Sequence, residues 1–256
     1  MKFIENYDYI LSIGTFFEDE ELKNSLQKAC KHGTNFTYMH PIDNFELKNI
    51  YTQFIKYEVG SEEGICALIL DTFVKNCDKT TQNFINNLDL GYISAESSAG
   101  EEEFEEAYES YKNSNSKLLI IGNDIKNHER VENIIKLLAT IKKYTDFEVL
   151  FLDEDLQNKF NSCENFELED IEDLKSFNGT LVYSLFGTDK SFLLASQTFA
   201  NIAKAKDGEN IEIISKNDKL KRVLKIDETL TGTIAILNVE NLANKYRYKQ
   251  VKIEKE

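Results

Sequence analysis

The sequence predicts an α/β protein: a mostly parallel sheet of strand–helix–strand units with a β-rich C-terminal region. Three observations carry this. Residues 7–14 (Tyr7-Asp8-Tyr9-Ile10-Leu11-Ser12-Ile13-Gly14) form an apolar run closed by glycine, then helical spacing, then a second apolar run. That order is the mark of a parallel pair and its crossover. Residues 117–152 repeat it, again with a glycine after the first strand. From Gly208 the pattern changes to short alternating segments.

Taken in order, the strand at 7–14 precedes a helix over 20–31. There Leu22, Leu26, Ala29 and Cys30 recur at helical spacing, and Gly33 stops it. Residues 36–39 form a second short strand. Over 45–56, Leu47, Ile50, Tyr51, Phe54 and Ile55 suit a helix, and a loop with one helical turn fits them too. Ser61 is the expected N-cap of the next helix, with Glu62 and Glu63 in a first turn where the helix dipole favours acids. The run 65–74 is apolar on most sides, which predicts a well-buried helix. A helix over 80–90 ends at Gly91, and a polar passage follows over 94–100. Ser98 with Glu101 reads as a capping box opening an acidic helix over 101–112. Phe104, Ala107, Tyr108 and Tyr111 give that helix an inner side, so its glutamates read as a solvated face.

Residues 117–122 are the strongest strand in the chain. A polar loop over 123–129 leads to a helix over 130–144, with Val131, Ile134, Ile135, Leu138 and Ile141 as its apolar stripe. A strand over 147–152 runs into Asp153-Glu154-Asp155. The stretch 157–176 is acidic and poorly patterned and reads as a surface excursion. Another strand covers 180–187, and 192–203 suits a loop or a helix. Strands are then expected over 211–214, 222–226, 233–237 and 248–253. The implied organisation is an α/β domain over 1–207, divisible into lobes 1–90 and 91–207, and a basic β-rich region over 208–256.

Composition narrows the function classes. The 256 residues carry a net charge of −15, which repels a nucleic-acid backbone. No stretch approaches the ~20 apolar residues that a spanning helix needs. The opening Met-Lys-Phe, soon followed by Glu5 and Asp8, has no apolar signal core, which leads us to expect a cytoplasmic chain. Charge is uneven: residues 216–256 hold ten basic and six acidic groups, a balance of +4, which leaves −19 for the rest. Such a tail suits an acidic protein neighbour, or folds back on its own body. With three arginines, Arg130, Arg222 and Arg247, no multi-arginine phosphate clamp is available.

Cys30, Cys66, Cys77 and Cys163 lack zinc-finger or cluster spacing, and Cys30 and Cys66 read as small buried hydrophobes. His32 sits at a helix end, His40 precedes the sole proline, and His128 lies in the polar loop. Spacing offers no catalytic triad. Gly14 and Gly122 each follow a strand, and Asp153 ends the next one where a dinucleotide fold places its ribose reader. These three are the cofactor-binding candidates. Neither loop completes a G-x-G-x-x-G or a P-loop, and the plainer role of each glycine is the turn itself.

From Gly91 onward the residues resemble a known family. Asp89-Leu90-Gly91-Tyr92-Ile93-Ser94-Ala95-Glu96-Ser97-Ser98-Ala99-Gly100-Glu101-Glu102-Glu103 is similar to a stretch D-x-G-Y-x-S-A-E-x-N-x-G-E-E-E in the large iron–sulfur subunit of bacterial respiratory complex I, an NADH-quinone oxidoreductase. The likeness continues through Leu118-Leu119-Ile120-Ile121-Gly122-Asn123-Asp124-Ile125 and His128-Glu129-Arg130-Val131-Glu132-Asn133-Ile134, where the family has a strand, G-x-D-L and H-P-R-x-x-N-I. Residues 10–29, 57–64 and 246–253 also fit in order. The departures are Glu129 for the family's proline, Ser98 for its asparagine, and Thr15-Phe16-Phe17-Glu18 for a loop that usually contains proline.

The resemblance implies the molybdopterin-oxidoreductase-like part of that subunit, which usually serves as scaffold. The cysteine-rich cluster-binding part has no counterpart here. The implied role is a non-redox structural or docking subunit of the peripheral arm of a complex I-type quinone oxidoreductase, with no cofactor and no catalytic residues of its own. The implied partners are the other peripheral-arm subunits and a small electron-donor protein, without nucleic acid or direct membrane insertion. The place is the cytoplasm, or the cytoplasmic face of the inner membrane through the complex. Asp124, His128 and Arg247 are the interface candidates. The competing readings are a free flavin- or nucleotide-binding enzyme, a replacement for the NADH-oxidising subunit, and an interaction module unrelated to respiration.

Overall fold

The computed structural model describes residues 4–164, 166–171, 173–216, 218–242 and 245–255. It divides into two compact units, Met1–Ser176 and Phe177–Glu256. The first contains β1 (Tyr9–Ile13), α1 (Glu20–Lys31), β2 (Asn35–Met39), β3 (Gln53–Ile55), α2 (Glu62–Phe73), α3 (Lys79–Asn86), α4 (Leu90–Ser97), α5 (Glu101–Lys112), β4 (Lys117–Ile121), α6 (Val131–Tyr144), β5 (Phe147–Phe151) and α7 (Glu154–Asn161). Its sheet runs β3-β2-β1-β4-β5, with every pair parallel. Tyr9 stands opposite Asn35 on one side and Lys117 on the other. β1 and β4 lie inside the sheet and are buried along their whole length. That is why both read as unbroken apolar runs rather than alternating ones.

The two faces are covered by different elements. Leu22, Leu26 and Ala29 of α1 pack with Ile10, Phe36, Tyr38, Leu118 and Ile120. Asp19 opens α1 by accepting from the Leu22 amide at 2.7 Å, which satisfies one of the helix's otherwise orphaned donors. The opposite face carries the larger core, where α2, α5 and α6 meet Leu11, Ile13, Leu119, Ile121 and Phe147. α2 is buried around most of its circumference, as its composition predicts.

Several local expectations are corrected. The polar passage over 94–100 is mostly helix: Asp89 caps α4 by accepting from the Tyr92 amide, and Gly91 lies inside the first turn. Ser98 does not open the acidic helix. It closes α4 in the left-handed conformation, at φ 51°. The N-cap sits two residues later at Gly100, whose amide donates to the Glu103 carboxylate at 2.8 Å. Nor does the chain divide at 90/91, because β1 pairs with β4 across that point.

The second unit contains β6 (Leu181–Phe186), β7 (Phe192–Ala195), α8 (Gln197–Ala203), β8 (Asn210–Ile214), β9 (Lys219–Ile226), β10 (Ile234–Val239), β11 (Tyr248–Gln250) and β12 (Lys252–Lys255). The β-rich region therefore begins well before residue 208. β6 and β7 hydrogen-bond to β10 and β9, so the boundary falls at 176/177. The strand order is β11-β6-β10-β7-β9-β8-β12. Only Val251 separates β11 from β12, although they stand at opposite ends of that order. One continuous stretch thus bridges β6 and β8 and closes the sheet into a barrel, which removes the edge problem of an open sheet. Its interior is filled by Val182, Leu193, Phe199, Ile211, Leu224, Ala235, Leu237 and Val251.

Candidate functional site

Ligands of open parallel sheets bind beyond the carboxyl ends of the strands where the strand order reverses. In the first unit that point lies between β1 and β4, whose ends carry Gly14 and Gly122. The two glycines pack against each other. A Cβ at Gly122 would stand 2.0 Å from the Gly14 carbonyl oxygen and 2.4 Å from Thr15 Cβ. Gly14 has φ +69°, a conformation glycine adopts without strain. A single 3₁₀ turn, Asn123–Asn127, then folds across the strand ends. The Asp124 amide donates to the Gly14 carbonyl at 3.0 Å, and Ile125 lies where a Cβ on Gly14 would be 2.9 Å away. The chain's own turn fills the crevice between these strand ends.

Asp153 does not stand free to read a ribose. One carboxylate oxygen caps α7 by accepting from Leu156 N at 3.1 Å, and the other lies 2.8 Å from Lys126 Nζ. Both oxygens serve the fold.

The residues that follow Gly122 build a buried polar cluster. His40, at the exit of β2, has Nε2 3.1 Å from Asp124 Oδ2, while its Nδ1 accepts from the Ile42 amide at 3.0 Å. Tyr38 stacks on the His40 ring at a centroid distance of 5.7 Å. His128 Nε2 lies 3.2 Å from the Gly60 carbonyl and 3.4 Å from Glu62 Oε2. Its Nδ1 accepts from the Arg130 amide at 3.0 Å. Glu63, one residue along α2, accepts from Asn133 Nδ2 at 2.6 Å and from Arg130 Nε at 3.1 Å. Burial raises the Glu63 carboxyl above its ordinary value, against the Asn133 hydrogen bond and the Arg130 charge. Burial and the nearby Glu62 and Asp124 charges hold Tyr57 neutral by pushing its hydroxyl well up.

The cluster also anchors the irregular segment after α7. Arg130 donates through Nη1 to Glu169 and through Nη2 to the Asp170 carbonyl, and Asn133 exchanges two hydrogen bonds with the Glu169 backbone. Leu174 is buried against Gly64, where a Cβ would come within 2.7 Å of it. The expected surface excursion is thus tied down at both of these points.

Two of the interface candidates, Asp124 and His128, lie inside the fold. Both side chains are buried, because they join the ends of β2 and β4 to the N-terminus of α2. Arg247 is half-buried on the barrel, with Nη1 3.2 Å from the Tyr183 hydroxyl. Sequence reasoning treated Glu62 and Glu63 as dipole partners and missed that both are inside. The available signal was their position at the mouth of an otherwise apolar helix, which leaves little room for a solvated face. Among the described residues, no group of three or more His, Cys, Asp or Glu is arranged to hold a metal ion.

No family model matches the sequence, and no curated protein matches it. Among solved structures, the chain is similar to acetylene hydratase from Pelobacter acetylenicus, at a TM-score of 0.55 and 8% identity. That match covers 93% of this chain and 71% of the other, and at this identity it speaks to the fold alone. Among the described residues, no helix is long and apolar enough to cross a membrane.

Proposed function

We propose that the chain is a non-redox structural and docking component of the peripheral arm of a complex I-type quinone oxidoreductase, held at the cytoplasmic face of the inner membrane through that complex. The observation that carries the reading is the use made of the resembling motif. Asp124, His128, Arg130 and Asn133 all come from the stretch similar to the large iron–sulfur subunit; Asp124 ties the turn after β4 to the exit of β2, and the other three tie the following loop and α6 to the N-terminal end of α2. The same stretch supplies the turn that fills the crevice where a cofactor would sit in this kind of sheet. A chain built this way offers shape and surface to neighbours rather than a reactive centre. The filled crevice weighs against a free flavin- or nucleotide-binding enzyme and against a replacement for the NADH-oxidising subunit.

The test is co-purification. A tagged chain, recovered from gently solubilised membranes, is expected to bring quinone-oxidoreductase subunits with it. Recovery of the chain alone would count against the proposal. A yellow preparation, or a thermal shift with flavin or NADH, would favour the enzyme reading instead.

A further inference from the structure

We draw no further inference here: the strongest candidate, the groove between α3, α6 and the segment after α7 that is lined by the half-buried rings of Phe84, Tyr144 and Phe166, carries nothing, because nothing in the structure shows what covers it.

Discussion

In the first unit, 35 acidic residues face 17 basic ones, and Glu62, Glu63, Asp124, His40 and His128 are drawn inside. In the second, ten acidic residues face 13 basic ones, and the ion pairs Lys190–Glu240, Lys252–Glu254 and Lys255–Glu209 lie in solvent-accessible positions. The difference follows from how each sheet ends. A five-stranded parallel sheet brings loop backbone and a helix N-terminus together beyond its carboxyl ends, and those polar groups need partners. Side chains of the buried cluster supply them. A barrel ends by pairing strand with strand, so its interior holds apolar side chains and its charges stay outside. One buried charge should therefore matter far more in the first unit than one exposed charge in the second.

The largest expected effect is at Glu63. Replacing it with Ala leaves Arg130 and Asn133 without their buried partner and should cost about 3–5 kcal/mol. Lys255→Ala on the barrel should cost far less, because its pair with Glu209 is exposed and screened by solvent. Urea unfolding of the two variants measures the contrast, and equal losses would erase it. Next comes Gly122→Ala. The new methyl would meet backbone rather than a movable side chain, so a loss of about 1–3 kcal/mol or more is expected. Gly208→Ala, in open space at φ +76°, should cost only the left-handed strain of about 1–2 kcal/mol. Hydrogen exchange should quicken across β1 and β4 in Gly122→Ala and leave β7 and β9 unchanged.

Glu63 in the first unit and Glu240 in the second should respond to acid with opposite sign. Glu63 has its folded carboxyl raised by burial, so the folded form takes up its proton before the unfolded chain does. Its ionisation is destabilising in the folded form, and that penalty is relieved as pH falls toward the ordinary value of 4.5. Glu240 on the barrel is lowered by its hydrogen bond and charge pairing with Lys190. Its contribution is present above the ordinary value and is lost as pH falls through the folded one. As pH falls toward 4.5, wild type should gain stability relative to Glu63→Gln. Against Glu240→Gln, wild type should lose its small advantage only at lower pH. A Glu63→Gln difference that stays constant with pH would remove buried Glu63 from the account.

Much of the fold was legible because apolar periodicity records burial directly. β1 and β4 read as continuous runs since both faces are covered, and the stripe of α6 points at the core. The barrel was legible only in part. β6 and β7 precede the change of pattern at Gly208, and closure through Val251 depends on pairings between strands far apart in sequence. The cluster was the least legible. His40 and Asp124 are 84 residues apart, and His128 and Gly60 are 68 apart, so no spacing rule connects them. Gly14, Gly122 and Asp153 were found at the correct strand ends, but only the folded chain reveals that the turn at Asn123–Asn127 occupies the space between the first two.

The smallest effects sharpen the comparison because they should be nearly alike in both units. Ser98 ends α4 and Lys204 ends α8, each exposed and left-handed, at φ 51° and 53°. A left-handed conformation costs a residue with a Cβ about 1–2 kcal/mol, and glycine's freedom in the unfolded chain gives back part of that gain. Ser98→Gly should therefore stabilise by about 0.5–1 kcal/mol, with Ser98→Asn between the two, since asparagine tolerates this region better than serine. Lys204→Gly gains the same backbone term but removes a cation from a helix C-terminus, worth about 0.3–1 kcal/mol, so its net change should be close to zero. Raising the salt concentration screens that cation and should bring Lys204→Gly toward the Ser98→Gly value. If the two variants stay apart at high salt, the difference lies in the backbone of the two units and not in the charge.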